Sequence, residues 1–310
     1  MTAVRKMTAV RKMTAARSWW DLSRGGNVVM GIMTIALGTL IMGVNYQESV
    51  LPLALHAFCI GAFIAGWFAI NDLLDIEVDR INHPGRPLPS EDIAETAARK
   101  YGHRMMILSS LILVGIIIYD EKGIGAFAWV DSVIVWLVAL IMMIAYELDG
   151  KPFNPCLKKR MLWGNLIIAG TVFITILFGA AAIGHATEPV LWMISAGAMV
   201  LIMAREVSMD IHDHEGDFDR TTLARVAGVE KARKAVWILA FSSFLLMTIP
   251  FALELLPTNM VVLMLPSFFC ALAVKPFLTK EKDAEVASLL RGAMIFGLLG
   301  LAGCGIIING

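Results

Sequence analysis

Long apolar stretches alternate with shorter polar ones along most of this chain. The apolar stretches fall at roughly 26–45, 50–71, 105–119, 126–147, 161–183, 188–209, 234–254, 258–279 and 287–308. A helix needs about 20 mainly apolar residues to cross the hydrocarbon of a bilayer, with some allowance for tilt. The pattern predicts an all-α, polytopic membrane protein with about nine transmembrane helices in a bundle. The third stretch is short.

Composition agrees with that reading. Of the 310 residues, 58% are hydrophobic and 17% charged, against roughly 45–50% and 25% in soluble domains. The formal net charge is zero, but the charges are segregated. All of the 26 Lys and Arg except Lys122 fall in residues 1–24, 75–104, 148–160, 205–234 and 275–291. Those segments are the N-terminal tail and every second loop, so a nine-helix chain puts them on one face. The excess of Lys and Arg in cytoplasmic loops makes that face cytoplasmic. The expected topology in the cell membrane has the N-terminus inside and the C-terminus outside. Residues 1–24, with their repeated MTAVRK hexamer, read as a cytoplasmic basic tail and not as a cleaved signal peptide. Residues 25–310 read as a single transmembrane domain. Cys59, Cys156, Cys270 and Cys304 form no CxxC pair, and neither a disulfide framework nor a zinc site is expected. No nucleic-acid partner is expected.

The candidate chemistry lies in the long inner loops, which would cap the bundle on the cytoplasmic side. After the second stretch comes NDLLDIEVDRINHPGRPLPS, in which Asp72, Asp75 and Asp79 are spaced by three and then four. On a continuing helix that spacing puts three carboxylates on one face across two turns. After the sixth stretch comes REVSMDIHDHEGDFDRTTL, where Asp210, Asp213 and Asp217 repeat the spacing. The two clusters follow helices four spans apart. The chain therefore reads as two four-helix halves plus a ninth helix, each half aiming a carboxylate triad at one cavity.

Three carboxylates on one helix face repel each other, and at a helix C-terminus they oppose the macrodipole. One such triad is adequately explained as solvated loop acids. Two of identical spacing, at equivalent places, point to compensating cations. Carboxylate oxygens suit Mg²⁺, which keeps several waters and binds through one or two carboxylates plus substrate phosphates. Two Mg²⁺ ions would hold a diphosphate and neutralise charge on departing pyrophosphate. The apolar bundle beneath would take a hydrocarbon chain.

Basic residues flank both clusters. Arg80 and Arg86 follow the first, Arg205 precedes the second, and Arg220 and Arg225 follow it. Arginine clamps phosphate in bidentate fashion, although topology alone already favours Arg in these loops. Arg86 stands out because it lies in the turn HPGRPLP. Glu206, one turn before Asp210, is a candidate base or metal-shell residue and equally a partner for a neighbouring Arg. His212 and His214 diverge by roughly 200° on a helix and form no metal site.

These residues resemble a known family. NDxxDxxxD followed by RxNxPxRPLPS is similar to the first signature of the UbiA superfamily of intramembrane prenyltransferases, and DIHDHEGD is similar to its second. The resemblance runs over nearly the whole chain from Trp20. It implies Mg²⁺-dependent transfer from a prenyl diphosphate, with metal held by Asn71, Asp72, Asp75, Asp79, Asp210, Asp213 and Asp217. LSRGGNVVMG, GNLIIAG at 164–170 and REVSMDIHDHEGD resemble the archaeal digeranylgeranylglyceryl phosphate synthases within that superfamily. This implies a geranylgeranyl diphosphate donor and a lipid-like phosphate acceptor, geranylgeranylglyceryl phosphate. The product would carry the second ether bond of an archaeal membrane lipid. Arg24 and Asn27 match the family's polar entry to the first helix, near the diphosphate. Tyr146 matches a tyrosine after the fourth helix, and the lysine that follows it in the family is Lys151, Lys158 or Lys159. The chain departs from the pattern between Asp217 and Thr222, a stretch that is short and lacks a glycine.

Two other readings use the same residues. An aromatic-acceptor prenyltransferase, of a quinone, chlorophyll or haem pathway, would share both triads without requiring a second anion site. A cation transporter would place ionisable residues near the bilayer midplane, whereas the acids here lie at one edge of the spans.

Overall fold

The computed structural model describes residues 14–43, 46–123, 127–149, 155–212 and 221–309. Among them the helices run in order as α1 (Ala15–Leu22), α2 (Gly25–Met42), α3 (Tyr46–Leu74), α4 (Ile76–Asn82), α5 (Glu95–Gly123) and α6 (Val130–Glu147). They continue as α7 (Met161–Ala181), α8 (Pro189–His212), α9 (Leu223–Ala227), α10 (Val229–Ala252), α11 (Leu265–Thr279) and α12 (Asp283–Asn309). Short 3-10 turns at Leu157–Lys159 and Thr258–Met264 precede α7 and α11. Nine helices among the described residues are long and apolar enough to cross a membrane, as the apolar pattern predicts. The short third stretch is only the apolar part of α5, which has 29 residues. Its first turns, ETAARKYGHR, are polar but largely made of strong helix formers. The helix therefore begins well before the hydrophobic run.

The described residues form two compact units, one within 1–32 and 57–115, the other within 33–56 and 116–310. In the first unit, the turn after α4 folds back onto the helices. Main-chain bonds from Arg86 to His83 (3.0 Å), Ser90 to Arg86 (2.9 Å) and Ile93 to Pro87 (3.1 Å) shape it. Leu88 and Ile93 then pack into a core with Leu22, Ala69, Ile76 and Ala98. Burial of a Leu or Ile side chain contributes about 1.5–3 kcal/mol, so these two anchor the loop that carries Arg86.

In the second unit α8 packs against α7, α10 and α12, and α11 packs against α12. The buried residues recur every three or four positions: Leu201, Ala204, Val207 and Ile211 on α8, and Ala232, Val236 and Ala240 on α10. Ala271, Val274 and Leu278 on α11 meet Val286, Leu290 and Ala293 on α12 in the same cluster. Lipid tails are as apolar as leucine, so helices in a bilayer associate through close packing of small residues and buried hydrogen bonds. The alanines supply the first. Ser243 Oγ donating to Gly197 O at 2.8 Å and Ser267 Oγ donating to Ala293 O at 2.7 Å supply the second. At one end, the Arg233 guanidinium grips Asp283 through Nε (3.1 Å) and Nη2 (2.7 Å), tying α10 to the first turn of α12.

Among the described glycines, the closest approach to another backbone is between α2 and α7. A Cβ on Gly38 would lie 2.7 Å from Ala180 N, and one on Gly179 would collide with the Ile35 carbonyl. We predict that Gly179→Val lowers the apparent Tm of the detergent-solubilised protein, consistent with an overpacking cost of about 1–3 kcal/mol or more. An unchanged Tm would show that the two backbones do not meet there.

Candidate active site

The first aspartate cluster does not lie on one uninterrupted helix. α3 stops at Leu74, Asp75 occupies a bend with φ −98° and ψ 7°, and α4 starts at Ile76. The register survives the bend. The Asp75 N–H still bonds Asn71 O at 2.9 Å, and the Asp79 N–H bonds Asp75 O at 2.8 Å. Asp72 and Asp79 are buried and Asp75 is half-buried.

A buried anion is stable only when paired or richly hydrogen-bonded, and each of these acids has such a neighbour. Arg24 Nη2 reaches Asp72 Oδ1 at 3.1 Å, with its guanidinium carbon 5.0 Å from the centre of the Phe68 ring. Arg86 Nη1 donates to both oxygens of Asp79, at 2.7 and 2.5 Å. Asn71 Nδ2 donates to Asp75 Oδ2 at 3.1 Å. The structure thus gathers Arg24, Asn71, Asp72, Asp75, Asp79 and Arg86 into linked pairs at the end of α3. Arg80 is engaged elsewhere, with Glu77 (2.6 Å) and Glu95 (3.4 Å), and all three side chains are exposed. Asn27 is exposed on the first turn of α2, and its N–H bonds Arg24 O at 2.7 Å.

In the second unit, Asp210 lies in the last turn of α8, where Asn165 Nδ2 donates to its Oδ2 at 2.8 Å. Arg205 pairs with Glu206 at 2.8 Å. Tyr146 and Glu147 are buried at the end of α6, and Lys158 donates to Glu147. Lys159 pairs with the more exposed Asp149 at 2.9 Å. Arg225 is half-buried on α9, whose N-cap, Thr222, accepts the Arg225 N–H at 3.3 Å. The turn bearing the two lysines is strapped to the start of α9 by a bond from Thr221 N–H to Lys159 O at 3.2 Å. Lys151, Asp213, Asp217 and Arg220 lie outside the described residues.

Asn165 and Glu147 touch candidate site residues and were not singled out by the sequence reading. Asn165 carries the only side-chain amide in the apolar run of α7, and a polar group inside a span is the signal that finds it. Gly164 beside it lets the 157–158 backbone approach, since a Cβ there would sit 3.1 Å from Leu157 O.

The arrangement is chemically specific: hard carboxylate oxygens, amide donors that orient them, and guanidinium groups able to take phosphate oxygens. Among the described residues no three His, Cys, Asp or Glu side chains converge into a closed metal cage. A Mg²⁺ ion held by one or two carboxylates, waters and phosphate does not need one. The donor set fits that ion.

Comparison with known proteins points the same way. The model of the UbiA prenyltransferase family matches residues 31–299. Digeranylgeranylglyceryl phosphate synthase of Saccharolobus solfataricus is 26% identical over 91% of this chain and 95% of its own length. The enzyme of that name from Methanosphaera stadtmanae is 32% identical over 68% of this chain and 70% of its own. A solved structure of digeranylgeranylglyceryl phosphate synthase superposes with a TM-score of 0.70 at 23% identity, covering 95% of this chain and 100% of that one. A UbiA homologue from Archaeoglobus fulgidus, bound to GPP and Mg²⁺, gives 0.65 at 18% identity over 94% and 99%. These two likenesses establish the fold.

The Asn165–Asp210 bond yields a second prediction. Asn165→Asp sets two carboxylates against each other, which lowers the apparent Tm at pH 7.5 relative to Asn165→Ala. The deficit shrinks at pH 4.5, where the pair shares a proton. A deficit independent of pH would show that residues 165 and 210 do not interact.

Proposed function

Because the chain belongs to the UbiA prenyltransferase family, we propose that it transfers a geranylgeranyl group from geranylgeranyl diphosphate to geranylgeranylglyceryl phosphate. The C1–oxygen bond to diphosphate breaks, a C1–oxygen ether bond forms to the acceptor hydroxyl, and the hydroxyl proton is released. The observation that carries this reading is the twice-repeated three-and-four spacing of aspartates. It occurs on a chain similar to digeranylgeranylglyceryl phosphate synthase over 91% of its length.

Asn71, Asp72, Asp75, Asp79, Asp210, Asp213 and Asp217 would hold Mg²⁺, as a bound ion in the A. fulgidus homologue suggests for the family. When bound, Mg²⁺ neutralises negative charge developing on the diphosphate. Arg24 and Arg86, already held beside Asp72 and Asp79 of the first cluster, take further phosphate oxygens, as do Arg205 and Arg225. Arg80 and Asn27 serve more peripherally, at exposed positions. Tyr146 and one of Lys151, Lys158 and Lys159 bind substrate in the second unit. Lys158 is the lysine joined to a buried acid, which favours a structural part for it and leaves Lys159 the better placed of the two described. The apolar spans exclude water from the reacting carbon.

We assign residues 25–310 to one prenyltransferase domain, with two four-helix halves and a ninth helix. The chain is a multi-pass membrane protein. Its basic loops support a cytoplasmic N-terminus and active site and an external C-terminus.

The test is an assay of purified protein in detergent with Mg²⁺, radiolabelled geranylgeranyl diphosphate and geranylgeranylglyceryl phosphate. Labelled diether phosphate is expected from the wild type, with chelation of Mg²⁺ abolishing it. Asp72→Ala and Asp210→Ala are each expected to lose at least about 100-fold in rate, the scale on which removing one electrostatic stabiliser acts. Prenylation of an aromatic acceptor instead would retain the enzyme class and overturn the lipid assignment.

A further inference from the structure

Arg24, which the functional reading uses, is held in an uncommon way. It lies between α1 and α2 with φ +49°, in the left-handed region that residues with a Cβ seldom occupy. Its backbone is committed on both sides. The N–H donates to Asp21 O at 3.1 Å, and the carbonyl accepts from Asn27 N–H at 2.7 Å. Gly25 follows directly beneath the Trp20 ring, where a Cβ would collide.

The turn is also pinned from α5. Ser23 Oγ donates to Trp19 O at 2.6 Å and lies 2.8 Å from the Tyr101 hydroxyl. A serine hydroxyl carries one proton. With that proton committed to the Trp19 carbonyl, Tyr101 is the donor to Ser23 Oγ. The Tyr101 ring meets the Trp19 ring with centroids 5.2 Å apart, and the neighbouring Leu22 is fully buried in the core of this unit.

We propose that Tyr101 is a positioning residue: its hydroxyl, acting through Ser23, holds the α1–α2 turn in the conformation that delivers the Arg24 guanidinium to Asp72 and the diphosphate. Only the diphosphate step rests on the proposed function. The hold on Arg24 is measurable without it.

Tyr101→Phe keeps the ring and removes only the hydroxyl. In detergent-solubilised protein of unchanged monodispersity, phenylglyoxal modification of Arg24, followed by peptide mass spectrometry, is expected to run roughly three-fold or more faster in this variant. That is the scale of one net hydrogen bond. Ser23→Ala is expected to behave alike. An unchanged labelling rate overturns the proposal whatever the activity. In the transfer assay, kcat/KM for the prenyl diphosphate is expected to fall roughly three- to ten-fold in Tyr101→Phe. No further fall is expected when Tyr101→Phe is added to Arg24→Ala. An equal fall in the Arg24→Ala background would mean that the hydroxyl acts elsewhere, and it would overturn the proposal. Wild-type protein that transfers no prenyl group would sink the functional reading, while the labelling ratio would still decide the role of Tyr101.

Discussion

A carboxylate withdrawn from water at the end of an apolar span persists as an anion only against a cation or well-aimed donors. The polar parts of this structure are arranged around that requirement. Asp72 and Asp79 are 3% and 4% exposed, and each meets an arginine. Buried Glu147 meets Lys158, and Asp283 meets Arg233. Three of these bases come from loops or helix ends, so satisfying the acids shapes those segments. The α1–α2 turn brings in Arg24, the proline-rich turn brings in Arg86, and the short 3-10 turn brings in Lys158. Asp120, buried without a partner among the described residues, is the exception, and nothing in the structure explains it.

On the proposed function, the same pairings would prepare the first aspartate cluster for an anionic substrate. On that reading, the arginines paired with Asp72 and Asp79 would also take phosphate oxygens. Their side-chain entropy is spent in folding instead of in binding. Within the second unit, Asn165 donates to Asp210 in a comparable way, beside Gly164, which lets the 157–158 turn come close. Rigid placement of ligand-binding groups by a supporting layer of contacts is what transfer chemistry based on positioning and charge neutralisation requires.

The helical body answers a different constraint. With no hydrophobic drive between helices in lipid, alanine and glycine at the contacts and a few serine hydroxyls hold the second unit together. On the proposed function, the apolar spans would take the hydrocarbon chain and shield the reactive allylic carbon from water, with the charged groups at the helix ends.

The spans, their number and the two aspartate spacings were legible in the sequence because they are one-dimensional properties. Hydropathy over about 20 residues decides whether a segment can cross a bilayer, and the intervals between Asp72, Asp75 and Asp79 need no folding to be seen. The length of α5 was less legible, since helix propensity continues where hydropathy stops. The break at Asp75 was hidden too, because the i to i−4 bonds that carry the spacing persist across it. Only the tertiary structure decided which donor meets which acid. Arg24 and Asp72 are 48 residues apart, and Asn165 and Asp210 are 45 apart. Arg80 was a candidate alongside the better-placed Arg86, and it pairs with exposed Glu77 and Glu95. Such choices depend on how each loop folds back upon its helices, through burial of residues such as Leu22, Leu88 and Ile93, and no local pattern encodes that path.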